Sequence, residues 1–427
     1  MTSNNENGSV SDIAKLWLAA LIVGLLTAGA LVVYHAAIHA IQWLLTQHTG
    51  SLVQDARKLP LWIRALVPAM GGLVAGLILD VGRGWTGGKP HIDYIDAARE
   101  GATALNDRTT AVRTLSSLFS IASGASIGRE GPMVQISAWL ASWLARLFPV
   151  PAAERNAILI CGITSGIAAV YHAPIAGVVF ALELALGFFS RHAIAPLILA
   201  AVATSALIFW TVEPSPLYIL PVVPRMPVTG QGLAAALCVG AVSGLLGLFQ
   251  LKMIEWAHAG FGRIRRRALR LGLGGIAVGL LSMVAPEVWG NGYTAVSNVL
   301  AGGLSWKWVA IVLCAKLLAT VASTSSGAIG GIFTPTLFVG ATSGYLFGVA
   351  LGGVHMGGDQ VIMAVIGMAA VLAAVTRAPL MAIVMVLEMT GQFQVTLHVM
   401  LACGVAYAIS TRFRIKALYG NPIEHHS

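Results

Sequence analysis

The stretch Ser123-Gly-Ala-Ser-Ile-Gly-Arg-Glu-Gly-Pro132 decides how this chain is read. Leu115 to Ala122, before it, is largely apolar, and Met133 begins a helix-like run through Ile136, Trp139, Leu140 and Leu144. A glycine-rich break carrying Arg129 and Glu130 is costly inside a hydrophobic segment, because unpaired polar groups lose their water. In a membrane such backbone survives only where protein or a watery cavity satisfies it. Ionisable residues there are functional candidates by default.

The rest of the chain supplies the membrane. Of 427 residues, 57% are hydrophobic and only 10% charged, with a mean hydropathy of +0.81. Soluble domains carry roughly 25% charged residues, so this chain cannot solvate an ordinary surface. Apolar runs recur from Leu18 to Ile409, enough for many crossings at about 20 residues each. The reading is an all-α polytopic membrane protein. Met1 to Val10 is polar and lacks the basic start of a secretory signal. Ser11-Asp12 is then expected to cap a retained membrane helix over Ile13 to Leu45.

Net charge +9 does not imply nucleic acid. The basic residues concentrate at Arg263, Arg265, Arg266, Arg267 and Arg270, and again at Arg412, Arg414 and Lys416. Positive-inside bias places both clusters, and with them the 263–270 loop and the C-terminus, on the cytoplasmic side of the membrane. Cys161, Cys238, Cys314 and Cys403 are scattered, without zinc or disulfide spacing, and read as buried small apolar residues. His35, His39, His172 and His398 lie in or beside apolar runs without ligand spacing, so no metal is expected. No His-Glu-x-x-His, paired aspartates or nucleophile beside a base supports an intramembrane enzyme using Glu130 as acid or base. A carrier of larger organic anions would need more polar recognition groups than are evident.

The chain divides into a polar tail (1–12), a first membrane half (13–212), a linker (213–230), a second half (231–411) and a basic tail (412–427). Thr46 to Pro60 reads as a loop. His172-Ala-Pro174 breaks a span that resumes as a helix, Ile175 to Phe189, containing Glu183. The linker holds Pro214, Pro216, Pro221, Pro224 and Pro227 and reads as extended.

The halves repeat. Ser123 to Pro132 aligns without gaps on Ser326-Gly-Ala-Ile-Gly-Gly-Ile-Phe-Thr-Pro335, an offset of 203 (326 − 123). Ala173-Pro174 through Glu183 aligns on Ala378-Pro379 through Glu388 at an offset of 205 (379 − 174). Two matches in one order make duplication the reading, and broken helices in matched positions mark a transport site between repeats. Each break presents backbone N–H groups and the positive end of a helix dipole, which suits an anion without a full cation beside it. The residues alone leave open whether the halves are parallel or inverted. Glu183 and Glu388, at equivalent positions, read as structural partners of broken backbone.

Gly128-Arg-Glu-Gly-Pro132, Gly330-Gly-Ile-Phe-Thr-Pro335 and Tyr419 in Lys416-Ala-Leu-Tyr419 resemble motifs of the CLC family of chloride channels and chloride/proton exchangers. The likeness runs over nearly the whole membrane region. It is to the compact bacterial branch without cytoplasmic nucleotide-binding modules, which fits a chain ending at Ser427. The resemblance implies two inverted-topology helical repeats around a central anion site, a homodimer, and no cofactor beyond chloride as the transported ion, with protons as a second ion in the exchangers. Carried over by motif, Glu130 is the gate, and Ile332 and Phe333 offer backbone N–H groups. Tyr419 offers its hydroxyl, and Gly128, Arg129, Gly131 and Pro132 support the pathway.

Two positions depart from the family. Its Gly-Ser-Gly-Ile-Pro stretch falls at Thr86-Gly-Gly-Lys-Pro90, so Gly87 stands where a serine would face the anion, with Thr86 the possible substitute and Lys89 in an apolar position. The exchangers' inner proton-accepting glutamate falls at Leu184, which cannot carry a proton. The expectation is therefore a voltage- or pH-gated chloride channel, with proton-coupled exchange by another relay as the alternative. The intact glutamate motif argues against fluoride.

Overall fold

The computed structural model describes residues 10–88, 91–101, 105–185, 191–211, 216–220, 228–352, 359–413, 415 and 417–419. Lys89 and Pro90, four of the linker prolines (Pro214, Pro221, Pro224, Pro227), Arg414, Lys416 and the first nine residues lie outside that set. Among the described residues there are seventeen α-helices. The first nine are α1 (Val10–Thr46), α2 (Leu52–Lys58), α3 (Leu61–Trp85), α4 (Tyr94–Arg99), α5 (Asp107–Ala122), α6 (Glu130–Leu147), α7 (Ala152–Tyr171), α8 (Pro174–Phe180) and α9 (Arg191–Thr211). Then come α10 (Gly230–Phe261), α11 (Arg267–Val284), α12 (Tyr293–Leu300) and α13 (Trp306–Ser325). The chain continues through α14 (Phe333–Gly352), α15 (Gln360–Thr376), α16 (Pro379–Thr390) and α17 (Thr396–Arg412). Nine helical segments among the described residues are long and apolar enough to cross a bilayer.

Several boundaries differ from the sequence reading. Ser11 and Asp12 lie inside the first turn of α1 rather than capping it. The loop expected over Thr46 to Pro60 contains α2. Its start is a capping box in which the Ser51 hydroxyl accepts from Gln54 N–H (3.3 Å) and the Gln54 side chain accepts from Ser51 N–H (3.2 Å). Gly230, read as linker, opens α10 behind the Thr229 cap. The helix expected from Ile175 passes after Phe180 into a π-helical turn, Ala181–Ala185, which carries Glu183 and Leu184. Cys161 and Cys403 are buried as expected, but Cys238 and Cys314 are exposed on α10 and α13. In a spanning helix the outward face meets lipid, which accepts a thiol as readily as a core does.

The chain packs as two compact units, which cut across the sequence halves. In the first (1–33, 90–110, 133–215), the Thr204 hydroxyl of α9 donates to the Gly24 carbonyl of α1 at 2.9 Å. A Cβ at Gly162 of α7 would collide with Ala141 of α6, so small residues set that spacing. In the second (34–89, 111–132, 216–427), α3 and α11 are pressed together by glycine. Gly72 faces Leu271 and Gly76 faces Ala268, while Gly275 faces Pro68 and Gly279 faces Ala65. These pairings run in opposite order, so the two helices are antiparallel. The α2 segment and residues 286–294 therefore share the end of this pair away from the Arg263–Arg267 turn.

The repeat is visible as local geometry. α7 and α15 both end on a left-handed residue, His172 (φ 53°) and Arg377 (φ 54°), before an Ala-Pro that starts the next helix. Gly124 (φ 94°) and Gly327 (φ 92°) turn the two breaks alike. Ala125 N–H then bonds Ser120 O at 3.1 Å, and Ala328 N–H bonds Ser323 O at 3.2 Å.

Gly76→Ala tests the close helix pair. Its Cβ would sit 2.5 Å from Ala268 Cα, which is backbone and cannot swing aside. The expected cost is about 1–3 kcal/mol, read as a lowered melting midpoint in detergent, with an unchanged midpoint as the contrary result.

Candidate functional site

The two breaks meet through their backbones. Gly128 N–H donates to Gly331 O at 2.7 Å and Gly331 N–H donates to Gly128 O at 2.8 Å, a reciprocal antiparallel bridge. Two residues on in each copy, a helix begins: α6 at Glu130 and α14 at Phe333. The first N–H groups of an α-helix have no intrahelical acceptor, so the bridge sets two donor-bearing helix starts side by side. Gly131 belongs to the same contact, since a Cβ on it would stand 3.1 Å from Gly331 N. Pro132 and Pro335 both sit in first turns, where the missing N–H costs nothing.

Glu130 folds into this junction. It is 3% exposed, and its Oε1 accepts from Thr334 N–H, a first-turn donor of the other helix, at 3.0 Å. Its Oε2 is buried with no hydrogen-bond partner. A Cβ at Gly128 would overlap the carboxylate, and one at Gly331 would lie 2.5 Å from Glu130 Cγ. Glycine at both positions is thus what lets the side chain lie across the bridge. A carboxylate oxygen on a helix-start N–H stands where an inorganic anion would bind.

The other expected residues divide into two groups. Ile332 and Phe333 are buried at the start of α14. Tyr419 joins them: its ring lies 6.2 Å from that of Phe333, centroid to centroid. Leu418 N–H bonds Val375 O at 3.1 Å and anchors that late segment. Thr86 and Gly87 are elsewhere in their bonding. They form the turn closing α3, where the Thr86 hydroxyl donates to Arg83 O (3.1 Å) and Gly87 N–H to Gly84 O (3.3 Å). The substitute hydroxyl envisaged for the missing serine is therefore occupied within its own turn. Leu184 is buried in the π-helical turn, and its carbonyl accepts from Arg99 Nε at 3.0 Å. Widening a helix by one residue frees such carbonyls, and Arg99 satisfies this one.

Sequence reasoning missed three supports. Thr334 supplies an N–H that holds Glu130. Lys316, within the span α13, is fully buried and donates to Val288 O (2.9 Å) and Gly290 O (2.6 Å), with the Phe338 ring 6.0 Å from its ammonium. Its only sequence signal was a lone cation in an apolar run. Tyr218, in the middle of the supposed extended linker, is fully buried and stacks on Tyr293 at 5.3 Å, with Tyr293 Oη donating to Leu217 O (2.8 Å). Burial pushes its phenol pKa up, and Tyr293 and Glu130 act in the same direction.

A many-spanning helical membrane protein with paired broken helices, one bearing a buried carboxylate and the other N–H donors, is the class that fold and site define. The family model described as voltage gated chloride channel matches residues 70–411. A ClcB-like chloride channel protein of Ralstonia nicotianae is 41% identical over 409 residues, covering 94% of this chain and 95% of that protein. The voltage-gated ClC-type chloride channel ClcB of Escherichia coli is 36% identical over 416 residues, covering 96% and 99%. The chain belongs to the CLC, or voltage-gated chloride channel, family. Its fold matches the crystal structure of a slow cyanobacterial Cl−/H+ antiporter with a TM-score of 0.83 at 22% identity, over 95% of this chain and 96% of that one. It also matches a CLC-type fluoride/proton antiporter, with a TM-score of 0.78 at 23% identity over 95% and 98%.

Lys316→Met is expected to leave the Val288 and Gly290 carbonyls buried without donors. Each such loss costs about 1–3 kcal/mol, so the melting midpoint falls by several degrees while Cys314→Ala, on the exposed face of the same helix, leaves it in place.

Proposed function

We propose that this protein moves chloride across the membrane as a CLC-type pathway gated by Glu130. The observation that carries the reading is the Glu130 carboxylate, buried across two helix starts and held by Thr334 N–H. In its ionised form it occupies an anion's place, attracted by the positive dipole ends. A proton removes that attraction, and chloride competes for the same donors. Ile332, Phe333 and Tyr419 then receive the anion from partial charges only, which keeps binding weak enough for the ion to leave. Arg129 supplies the full positive charge beside the gate. With the Thr86 hydroxyl bonded to Arg83 O, Gly87 serves its stretch of the pathway without a serine-like hydroxyl. The protein has no covalent step, works as a homodimer, and sits in the inner membrane with its 263–270 loop cytoplasmic.

Passive, gated conduction is the leading form, supported by buried Leu184 at the inner proton position. Chloride/proton exchange is the second reading, favoured by Glu183, a half-buried carboxylate one residue away on the π-helical turn.

In liposomes at saturating chloride, wild-type flux is expected to rise on acidification, and Glu130→Gln to conduct at the acid level at every pH. A Glu130→Gln protein that keeps the wild-type pH response would remove Glu130 from the gate. A chloride gradient applied to the wild type should drive no uphill proton movement, and clear proton pumping selects the exchanger.

A further inference from the structure

Next to the gate, within the second compact unit, lies a cavity of about 260 Å³. Arg129 forms part of its wall, so the cavity adjoins Glu130 through one peptide bond. His35, His39 and Gln42 of α1 face it from one side, and Asn291 and Tyr293 from the turn before α12. Trp289 also lines it, with its buried indole N–H without a hydrogen-bond partner. Among the described residues no carboxylate lines the cavity. The cavity is walled by residues 50–53 and 289–294, at the end of the α3–α11 pair away from the arginine-rich turn. By positive-inside bias that end is non-cytoplasmic.

The charges behind the wall are already committed. Asp55 is fully buried and accepts from Gln42 Nε2 (2.6 Å), Gly50 N–H (3.2 Å) and Thr46 Oγ1 (3.4 Å). Glu287 is paired with Arg57 at 2.6 Å and accepts from Trp308 Nε1 at 3.3 Å. The Lys316 ammonium sits behind Gly290, and His48 Nδ1 is 2.6 Å from Thr46 O. Tyr34, beside His35, shares its hydrogen bond with Ser117. The cavity surface itself carries the imidazoles of His35 and His39 and the guanidinium of Arg129.

We infer that this cavity is a second anion site, an antechamber that holds a hydrated inorganic anion such as chloride ahead of Glu130 and binds it more tightly when His35 and His39 are protonated. At about 30 Å³ per water the space holds roughly eight waters, so the anion keeps most of its hydration there. Binding is then electrostatic rather than stripped coordination, and salt screens it. Histidine is the side chain that changes charge between pH 5 and 8. Protonated imidazoles add positive charge to a lining that already carries Arg129, and by linkage a bound anion favours the protonated imidazoles in return. The inference rests on the anion-transport reading, yet it separates from it: the gate sets the maximal flux, whereas the antechamber sets how much chloride is needed to reach it.

The test measures initial chloride flux in liposomes against external chloride at about pH 7.5 and about pH 5.5. In the wild type the KM is expected to fall about 5-fold on acidification. In the His35→Gln/His39→Gln double variant the KM should be the same at both pH values, while the saturating flux and its own acid response stay as in the wild type. Asn291→Asp, which places a carboxylate in the lining, should raise KM at both pH values. A wild-type KM that ignores pH, or a double variant that keeps the shift, overturns the antechamber. If the wild type moves no chloride at any concentration, the transport reading fails instead. Bromide titration calorimetry in the Glu130→Gln background then judges the cavity alone: a bromide affinity that rises with acid and loses that rise in the double variant supports it, and an affinity blind to both overturns it.

Discussion

The reciprocal Gly128–Gly331 hydrogen bonds are the constraint on which the site depends. Two breaks in hydrophobic segments would each leave backbone donors and acceptors stranded. By pairing with each other they satisfy that demand at one point and fix the starts of α6 and α14 against one another. The same pairing excludes any side chain at either glycine, and the space so kept is where the Glu130 carboxylate lies. Backbone economy and the anion-like position of Glu130 are thus one arrangement. Equivalent first-turn positions hold Glu130 in one copy and Phe333 in the other. Duplication supplied two similar helix starts, and a single side-chain difference made one a titratable group and left the other a set of uncharged donors.

Around that junction, close helix approach and buried polar atoms divide the work. Glycine on α3 and α11 brings backbones together, which in a lipid setting provides contact where no hydrophobic drive exists between helices. Lys316 does the opposite kind of work, holding the Val288 and Gly290 carbonyls with a buried ammonium. That segment forms part of the cavity wall beside Arg129.

Much of this was legible in the residues. The charged break, its second copy and the Ala-Pro pair at near-constant offset located both helix starts, and the left-handed His172 and Arg377 now give the repeat a geometric form. Phe333 and Tyr419 were named from motif and do meet. The failures have local causes. Ser11-Asp12 looked like a cap because those residues favour that position, but membrane helices extend past the apolar core. The loop after α1 hid α2 because a seven-residue helix carries too little periodicity. Thr86 looked available as a hydroxyl donor until the turn geometry gave it Arg83 O. Proline density in the linker said nothing of Tyr218, whose burial depends on Tyr293, distant in sequence.

What the sequence by itself determined was class and chemistry. Few charges and long apolar runs require a membrane, and a duplicated glycine break with one acid marks two paired helix starts with a single carboxylate between them, because both follow from composition and local pattern. Only the tertiary structure decided which N–H holds Glu130, that Leu184 sits in a π-helical turn, and that two histidines of α1 share a cavity with Arg129. Each of these depends on which residues far apart in sequence come to share a volume of a few ångströms, and spacing along a single chain does not encode that distance.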